Sequence, residues 1–530
     1  MEIIQKALEQ KLYVTKKENL KNQTWKDFEK AVTSKKVWIF GAGNTAEFFW
    51  ERYKGSIPIE GVIDNDRRKQ GNYLEDYVGI TQDSPEGKFI IRGITALSAV
   101  DMEQVVILVS SVRYYEEIAD QLESIGIKDV FIMLIMEANE HKEETLSEVK
   151  DKESTSKEEA YALECMKEPI EAKKILVAIG IHGGHGKQIS KRMVEKKPDL
   201  DIVWIVENKP TEIPEGIRYI LAGNWKEYIR ELETAHIWIY DDMIPLYAHK
   251  RNGQIYIQAK HWAGITLKKF YWDIKQYLNV PIARKRYSHN NRAIDYILVG
   301  SEFDEKSCRS GFDFDGECIY VGSPRTDVLF ENGLREKVCS YYGISLDKHI
   351  LLYAPTFRAT NSEASMGRMK SVDMDFEKIE KVLQKKFGGE WVIFLRLHPY
   401  IAIESSKLKR PDFVIDASYY PDSQELVAAM DIMITDYSSI MFEPAFIEKP
   451  VLLYAPDKDD YIKNDRGLLI DYDSLPFPIS ESNEELAETI MKFEKGDYDK
   501  RVNDFLDNYG VHEDGYASER ATEFILGLLE

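Results

Sequence analysis

Cysteine is scarce in this chain. Its four copies, Cys165, Cys308, Cys318 and Cys339, never form a CxxC pair, which excludes a zinc-ribbon or dithiol redox centre by pattern. Long apolar runs are missing too: no stretch reaches the about 20 residues that a membrane-spanning helix needs. Positive charge is in deficit, with 70 Lys and Arg against 91 Asp and Glu, a formal net charge of -21. That balance argues against nucleic acid as a partner and gives no support to capture by anionic lipid. The opening Met-Glu-Ile-Ile-Gln-Lys lacks a basic, apolar, small-residue export pattern, so the expected location is the cytoplasm. At 530 residues the chain is too long for one core and is expected to divide into several domains.

What is present is a repeated alternation of apolar runs with amphipathic segments. Lys36-Val-Trp-Ile-Phe-Gly41-Ala-Gly43-Asn-Thr-Ala46 reads as a strand entering a glycine turn and a helix, in the form GxGxxA. A second strand, Ile59 to Ile63, ends at Asp64, where an acid can hold a ribose. These residues define a Rossmann-like unit within 1–138 whose loop, Gly41, Gly43 and Asp64, serves either a ligand or docking. Residues 139–172 are strongly charged and are expected to be a linker, either a solvated helix or a flexible segment. Two further α/β series follow, read as 173–290 and 291–530, the second opening with strands Tyr296 to Val299 and Ile319 to Val321. Helices are expected from Glu484 to the end, closing over the boundary between the two series.

Chemistry concentrates at predicted strand ends. Ile434-Thr-Asp-Tyr-Ser-Ser-Ile440 is an apolar run, a polar turn and a helical start, so Ser438, Ser439 and free N–H groups stand where a phosphate binds. The plain alternative is a helix cap. Glu443 is expected one turn later, within reach of a sugar hydroxyl. Tyr353-Ala-Pro-Thr356-Phe-Arg358, Phe394-Leu-Arg396-Leu-His398-Pro and Gly322-Ser-Pro-Arg325-Thr-Asp each set Arg or His after a strand. In parallel sheets ligands bind at that edge, and guanidinium forks suit a diphosphate. Ile181-His182-Gly183-Gly-His185-Gly-Lys187 resembles neither a metal pair, lacking a third ligand, nor a Walker loop, since Gln188 stands where a hydroxyl must meet magnesium. Asp457, Asp459 and Asp460 lack the rest of a calcium motif.

The order GSPRTD, YAPTFR, RLHP, ITDYSS and YAPDKDDY, with Tyr256-Ile-Gln-Ala-Lys-His261-Trp-Ala-Gly264 and Leu267-Lys268-Lys-Phe upstream, resembles the CDP-glycerol glycerophosphotransferase family of teichoic acid and capsule polymer synthesis. The match runs from about Lys173 to about Tyr472. Lys260 stands where that family usually has Trp, and Trp262 where it often has Gly. The resemblance implies an α/β fold: a glycosyltransferase B-like pair of Rossmann-like domains, here preceded by the smaller one. It implies a CDP-glycerol or CDP-ribitol donor, no required cofactor or metal, and a lipid-linked or capsular glycan acceptor. Peripheral contact with the inner face of the cell membrane is family habit, and oligomerisation is left open. His261 is then the expected base and His398 a donor or acid. Ser438, Ser439, Arg358, Arg396 and Thr356 hold phosphates, and Glu443 and Arg325 face the nucleoside. His182, Gly183 and Lys268 lie on the acceptor side. Two competing readings are a nucleotide-sugar glycosyltransferase of the same architecture and a non-catalytic scaffold.

Overall fold

The computed structural model describes residues 15, 17–53, 56–78, 88–112, 114–140, 157–180, 184–274, 281–356, 374–397, 410–464 and 467–529. Three parallel sheets carry the architecture. The first contains β1 (Lys36–Phe40), β2 (Ile59–Ile63), β3 (Ile91–Arg92), β4 (Val105–Val109) and β5 (Val130–Ile132), in the order β3-β2-β1-β4-β5. The second contains β6 (Glu171–Ile179), β7 (Asp201–Val206), β8 (Ile217–Leu221), β9 (Ala235–Tyr240), β10 (Ile255–Gln258), β11 (Tyr296–Val299) and β12 (Glu317–Tyr320), in the order β12-β11-β10-β9-β6-β7-β8. The third contains β13 (His349–Ala354), β14 (Trp391–Leu395), β15 (Val414–Asp416), β16 (Ile432–Thr435), β17 (Val451–Tyr454) and β18 (Ile479–Ser480), in the order β15-β14-β13-β16-β17-β18. Each order reverses once, beside the sheet's first strand, and a doubly wound sheet opens its ligand crevice at that reversal.

These strands form where sequence offers unbroken apolar runs, because helices cover both faces of a parallel sheet. All five residues of β4 are buried, as are all of β14 and β16. Each fully buried Val, Leu, Ile or Phe contributes about 1.5–3 kcal/mol. Helix Trp25–Val32 of the first unit begins with a capping box: Thr24 accepts from the Asp27 N–H, and Asp27 accepts from the Thr24 N–H.

Two expectations need correction. The strands read at Tyr296 to Val299 and Ile319 to Val321 as opening the last series, found as Tyr296–Val299 and Glu317–Tyr320, instead complete the second sheet: β11 pairs with β10 through Ile257 and Tyr296, and β12 pairs with β11. Strand patterning shows that a segment is extended and buried; it carries no label for the sheet it joins. The end of the charged stretch is a helix, as one expectation had it, but a packed one and not a solvated one. Lys157–Cys165 is a helix whose Ala162 and Cys165 pack on Ile229 of helix Trp225–Thr234. Residues 141–156 lie outside the described residues.

Helices Asn483–Lys492, Lys495–Tyr509 and Ala517–Gly527 end the chain. The last one leaves the third sheet's lobe and returns to the second. Ala521 and Ile525 join Ile189 and Met193 in one apolar cluster, and the Thr522 hydroxyl donates to the Ile189 carbonyl at 3.3 Å. Among the described residues, no helix is long and apolar enough to cross a membrane.

Candidate active site

At the reversal of the second sheet, between the paired strands β6 and β9, helix His185–Lys196 starts beyond the end of β6. Gly186 lets it start there: a Cβ would stand 2.5 Å from Val177 Cγ1 of β6. Asp241, just past β9, is almost fully buried, and its Oδ2 accepts the Gly184 N–H at 3.0 Å. Burial pushes its carboxyl up to about 7, against the pull of the Gly184 N–H and Arg325. His185 is buried as well. Its Nδ1 accepts from the Arg325 N–H at 3.4 Å, so Nε2 carries the proton and donates to the Trp262 carbonyl at 3.0 Å. Burial and the nearby Lys260 and Arg325 charges hold it neutral, well below the usual histidine range.

Asp241 yields a pH prediction. A carboxyl whose folded pKa exceeds its unfolded value adds stability below about pH 4, and that contribution is lost as pH rises through about 7. The loss is on the order of 4 kcal/mol at pH 8. Asp241→Asn keeps an oxygen for the Gly184 N–H and removes the titration. Thermal melts at pH 5 and pH 8 should then differ by several degrees less than those of the parent chain. An unchanged gap would mean that Asp241 is ionised at little cost.

The His261 loop follows β10. Lys260 turns the chain with φ +57°, a left-handed value uncommon for a side-chain-bearing residue. Its side chain is buried, and Nζ donates to Asp304 Oδ2 and to the Leu298 carbonyl, both at 3.0 Å. The same carboxylate accepts Trp262 Nε1–H at 2.9 Å through Oδ1 and the Gly300 N–H at 2.9 Å through Oδ2. One buried acid therefore ties down both neighbours of His261. The two departures noted in the sequence, Lys260 and Trp262, are parts of one bonded unit. The His261 ring stands edge-on to Trp262, centroids 5.1 Å apart, and its carbonyl accepts Arg325 Nη1–H at 2.7 Å.

On the third sheet, Thr356 after β13 and Asp436 after β16 lie at the reversal. Asp436 Oδ1 accepts the N–H groups of Thr356 at 2.8 Å and Tyr437 at 2.6 Å. The expected helix after the serines is two short 3-10 turns, Ser439–Phe442 and Pro444–Ile447. Pro444 explains the break, since it lacks the N–H that a continuing helix needs. Ser438 caps the first turn, accepting the Ile440 N–H at 3.4 Å. Ser439 Oγ accepts the Leu267 N–H at 3.2 Å and lies 3.2 Å from Thr266 Oγ1. The serine turn and the segment after His261 are thus in contact.

Arg325 and Glu443 meet each other. Nη2 lies 3.0 Å from Oε1, with both side chains almost fully buried, and Gln424 Nε2–H donates to Glu443 Oε2 at 2.9 Å. Burial pushes the Glu443 carboxyl up while Arg325 holds it down. Arg396 spends Nη1 on the carbonyls of Ala417 (2.9 Å) and Tyr420 (3.0 Å). Burial pushes its guanidinium down from the ordinary value, and the Arg325 and Arg68 charges add to this. Lys268, expected on the acceptor side, sits 5.0 Å above the Tyr461 ring, which stacks on Tyr437 at 3.7 Å. Cation–π attraction and main-chain pairing of Lys269 N–H with the Gly467 carbonyl (3.0 Å) draw it to the third lobe. His182, Gly183, Arg358 and His398 lie outside the described residues.

In the first unit, Gly41 adopts φ +118°, and Ser110 Oγ–H donates to its carbonyl at 2.6 Å. Asp64 Oδ2 accepts the Ala42 N–H at 2.8 Å, and Lys69 Nζ donates to the Ala42 carbonyl at 2.7 Å. The Lys69 amine would lie 4.0 Å from a Cβ at Gly43.

Sequence reasoning missed Asp241, Asp304 and the ion pair of Lys187 Nζ with Asp422 Oδ2 at 2.6 Å. Asp304 is disguised by its place in a helix cap, where the Ser301 hydroxyl accepts the Asp304 N–H at 3.1 Å. Asp241 carried a usable signal, an acid directly after an apolar strand.

Residues 166–527 match the family model described as CDP-Glycerol:Poly(glycerophosphate) glycerophosphotransferase. A teichoic acid poly(glycerol phosphate) polymerase of Bacillus spizizenii is 29% identical over 342 residues, 62% of this chain and 85% of that one. A teichoic acid poly(ribitol-phosphate) polymerase of the same organism is 30% identical over 302 residues, covering 55% of this chain and 47% of that one. The chain thus spans most of the first relative and about half of the second. The solved structure of the wall teichoic acid polymerase TagF is 26% identical, with a TM-score of 0.62, covering 71% of this chain and 94% of that one.

Proposed function

Because the chain belongs to the CDP-glycerol:poly(glycerophosphate) glycerophosphotransferase family, we propose that it transfers a polyol phosphate, glycerol phosphate in the first instance, from a CDP-polyol to a hydroxyl of a teichoic acid chain. The observation that carries this reading is the meeting of two sheet edges. The Ser438–Ser439 turn touches the segment after His261, and Arg325 bonds the His261 carbonyl while pairing with Glu443. A diphosphate lying there would meet the serine hydroxyls and the remaining donors of Arg396. The lobe of the third sheet takes the donor and the lobe of the second sheet the acceptor.

In the reaction, the acceptor oxygen bonds to the phosphorus next to the polyol. The bond from that phosphorus to the bridging oxygen breaks, and CMP leaves with its electron pair. The hydroxyl proton passes to the His261 imidazole, the side-chain type best suited to a general base near neutral pH. Charge spreads over the phosphoryl oxygens, so positioning and cationic contacts supply most of the rate. Glu443 holds the ribose once Arg325 turns to the phosphates, exchanging one charged partner for another. Thr356, its N–H held by Asp436, lines the same edge, and His398, beyond the described residues, remains the second candidate for charge stabilisation.

The test is product identity. Incubation with CDP-glycerol, CDP-ribitol and a panel of UDP-sugars, with a polyol-phosphate-bearing acceptor, should release CMP from a CDP-polyol and no UDP. UDP alone would establish the glycosyltransferase reading and defeat this one.

A further inference from the structure

The first unit lies outside the residues that match the family, and its glycine loop is closed from within. The Ala42 N–H, which a nucleotide phosphate would need, is taken by Asp64, and Lys69 lies beside the loop with its amine on the Ala42 carbonyl. The edge that carries this loop is instead pressed against the other two lobes. Glu47, four residues past Gly43, is buried and accepts from Lys157 Nζ at 2.7 Å and Trp225 Nε1 at 3.1 Å. Gly223 touches the main chain of Tyr77, with no room for a side chain: a Cβ would stand 1.9 Å from the Tyr77 carbonyl oxygen. On the far side, the Arg68 guanidinium lies 5.4 Å above the ring of Tyr419, in the third lobe.

This docking delivers a basic turn to the rim of the cleft. Arg68 is held in place by a two-pronged pair with Asp66, Nε to Oδ1 at 2.9 Å and Nη2 to Oδ2 at 2.7 Å. Its Nη1 makes no hydrogen bond among the described residues, and exposed Arg67 makes neither hydrogen bond nor ion pair among them. The charge of Arg68 reaches Arg396, and that of Arg67 reaches Tyr419. Elsewhere a chain of net charge -21 repels a polyanion.

We propose that Arg67 and Arg68 form an anion subsite for the phosphate groups of the acceptor chain, brought to the cleft rim by docking of the first domain. The subsite rests on the reading above that the acceptor is a polyol-phosphate polymer. It takes the phosphodiesters already in the chain, leaving the reacting hydroxyl free to reach His261. Each guanidinium offers a fork to one phosphate.

The experiment compares the full-length chain with Arg67→Gln, Arg67→Lys and Arg67→Gln/Arg68→Gln, using a short oligo(glycerol phosphate) acceptor and a phosphate-free hydroxyl acceptor. For Arg67→Gln, KM for the phosphorylated acceptor should rise about tenfold, the weight of one charged hydrogen bond. It should rise further in the double variant and return towards the parent value in Arg67→Lys. In Arg67→Gln, KM for CDP-glycerol and for the phosphate-free acceptor should hold. An unchanged KM for the phosphorylated acceptor in both Gln variants overturns the subsite, as does an equal loss with both acceptors. If the parent chain releases no CMP, the transferase reading fails separately. Calorimetric titration of the oligomer into the same proteins then decides the subsite: weaker binding by Arg67→Gln upholds it and equal binding rejects it.

Discussion

Replacing His261 by alanine is expected to lower CMP release from CDP-glycerol by about 10²–10⁴-fold, the range that a positioned general base contributes. The fold should survive the change. The bond that links this residue to Arg325 runs through its backbone carbonyl, which alanine keeps, and Lys260 and Trp262 remain tied to Asp304. A melting temperature close to the parent value, with turnover collapsed, would separate chemistry from stability. The loss should fall on kcat, because the imidazole acts on the proton that leaves in the transition state. His261→Asn should be as inactive as alanine, since an amide accepts a hydrogen bond but does not titrate near neutral pH. Unchanged turnover in single-turnover assays would remove His261 from the mechanism and move attention to His398.

The second large effect belongs to Asp304. Its removal as Asp304→Ala leaves the Lys260 ammonium in a site with no exposure and strips partners from the Trp262 indole and the Gly300 amide. Breaking a buried pair from one side costs about 3–5 kcal/mol, because the surviving charge has lost its counter-ion without regaining water. Chemical denaturation should show that loss. Lys260→Met in the Asp304→Ala background should recover a large part of it, since the uncompensated charge is then gone. Activity should not follow stability: Met at 260 no longer holds the left-handed turn before His261, so kcat should stay low in the recovered protein. A loss under about 1 kcal/mol for Asp304→Ala would mean that the ammonium finds water or another acceptor.

Much of this molecule was legible in its residues. Runs such as Val105 to Val109 and Trp391 to Leu395 announced buried parallel strands because both sheet faces exclude water. Their ends located Thr356, Arg396 and the serine turn, which the third sheet brings to one edge. What stayed hidden was pairing at a distance. Nothing local tells β11 to lie beside β10, tells Glu443 to take Arg325, or tells Ser439 to reach Leu267. The GxGxxA loop shows the same limit from the other side. Its backbone shape was readable, but only the folded unit shows that Asp64 turns inward onto the Ala42 amide.

The returning C-terminal helix has a mechanical consequence. The polypeptide crosses between the second and third lobes once after β12 and again before Ala517, and the two crossings touch: Glu513 Oε2 accepts the Ser323 N–H at 2.9 Å. Two tethers fastened side by side forbid sliding and leave bending about one pivot as the easy motion. Arg325, two residues from that pivot, travels least as the halves swing, while parts farther out sweep the longest arcs. A swing can therefore swap the partners of Arg325 without carrying it away from His261.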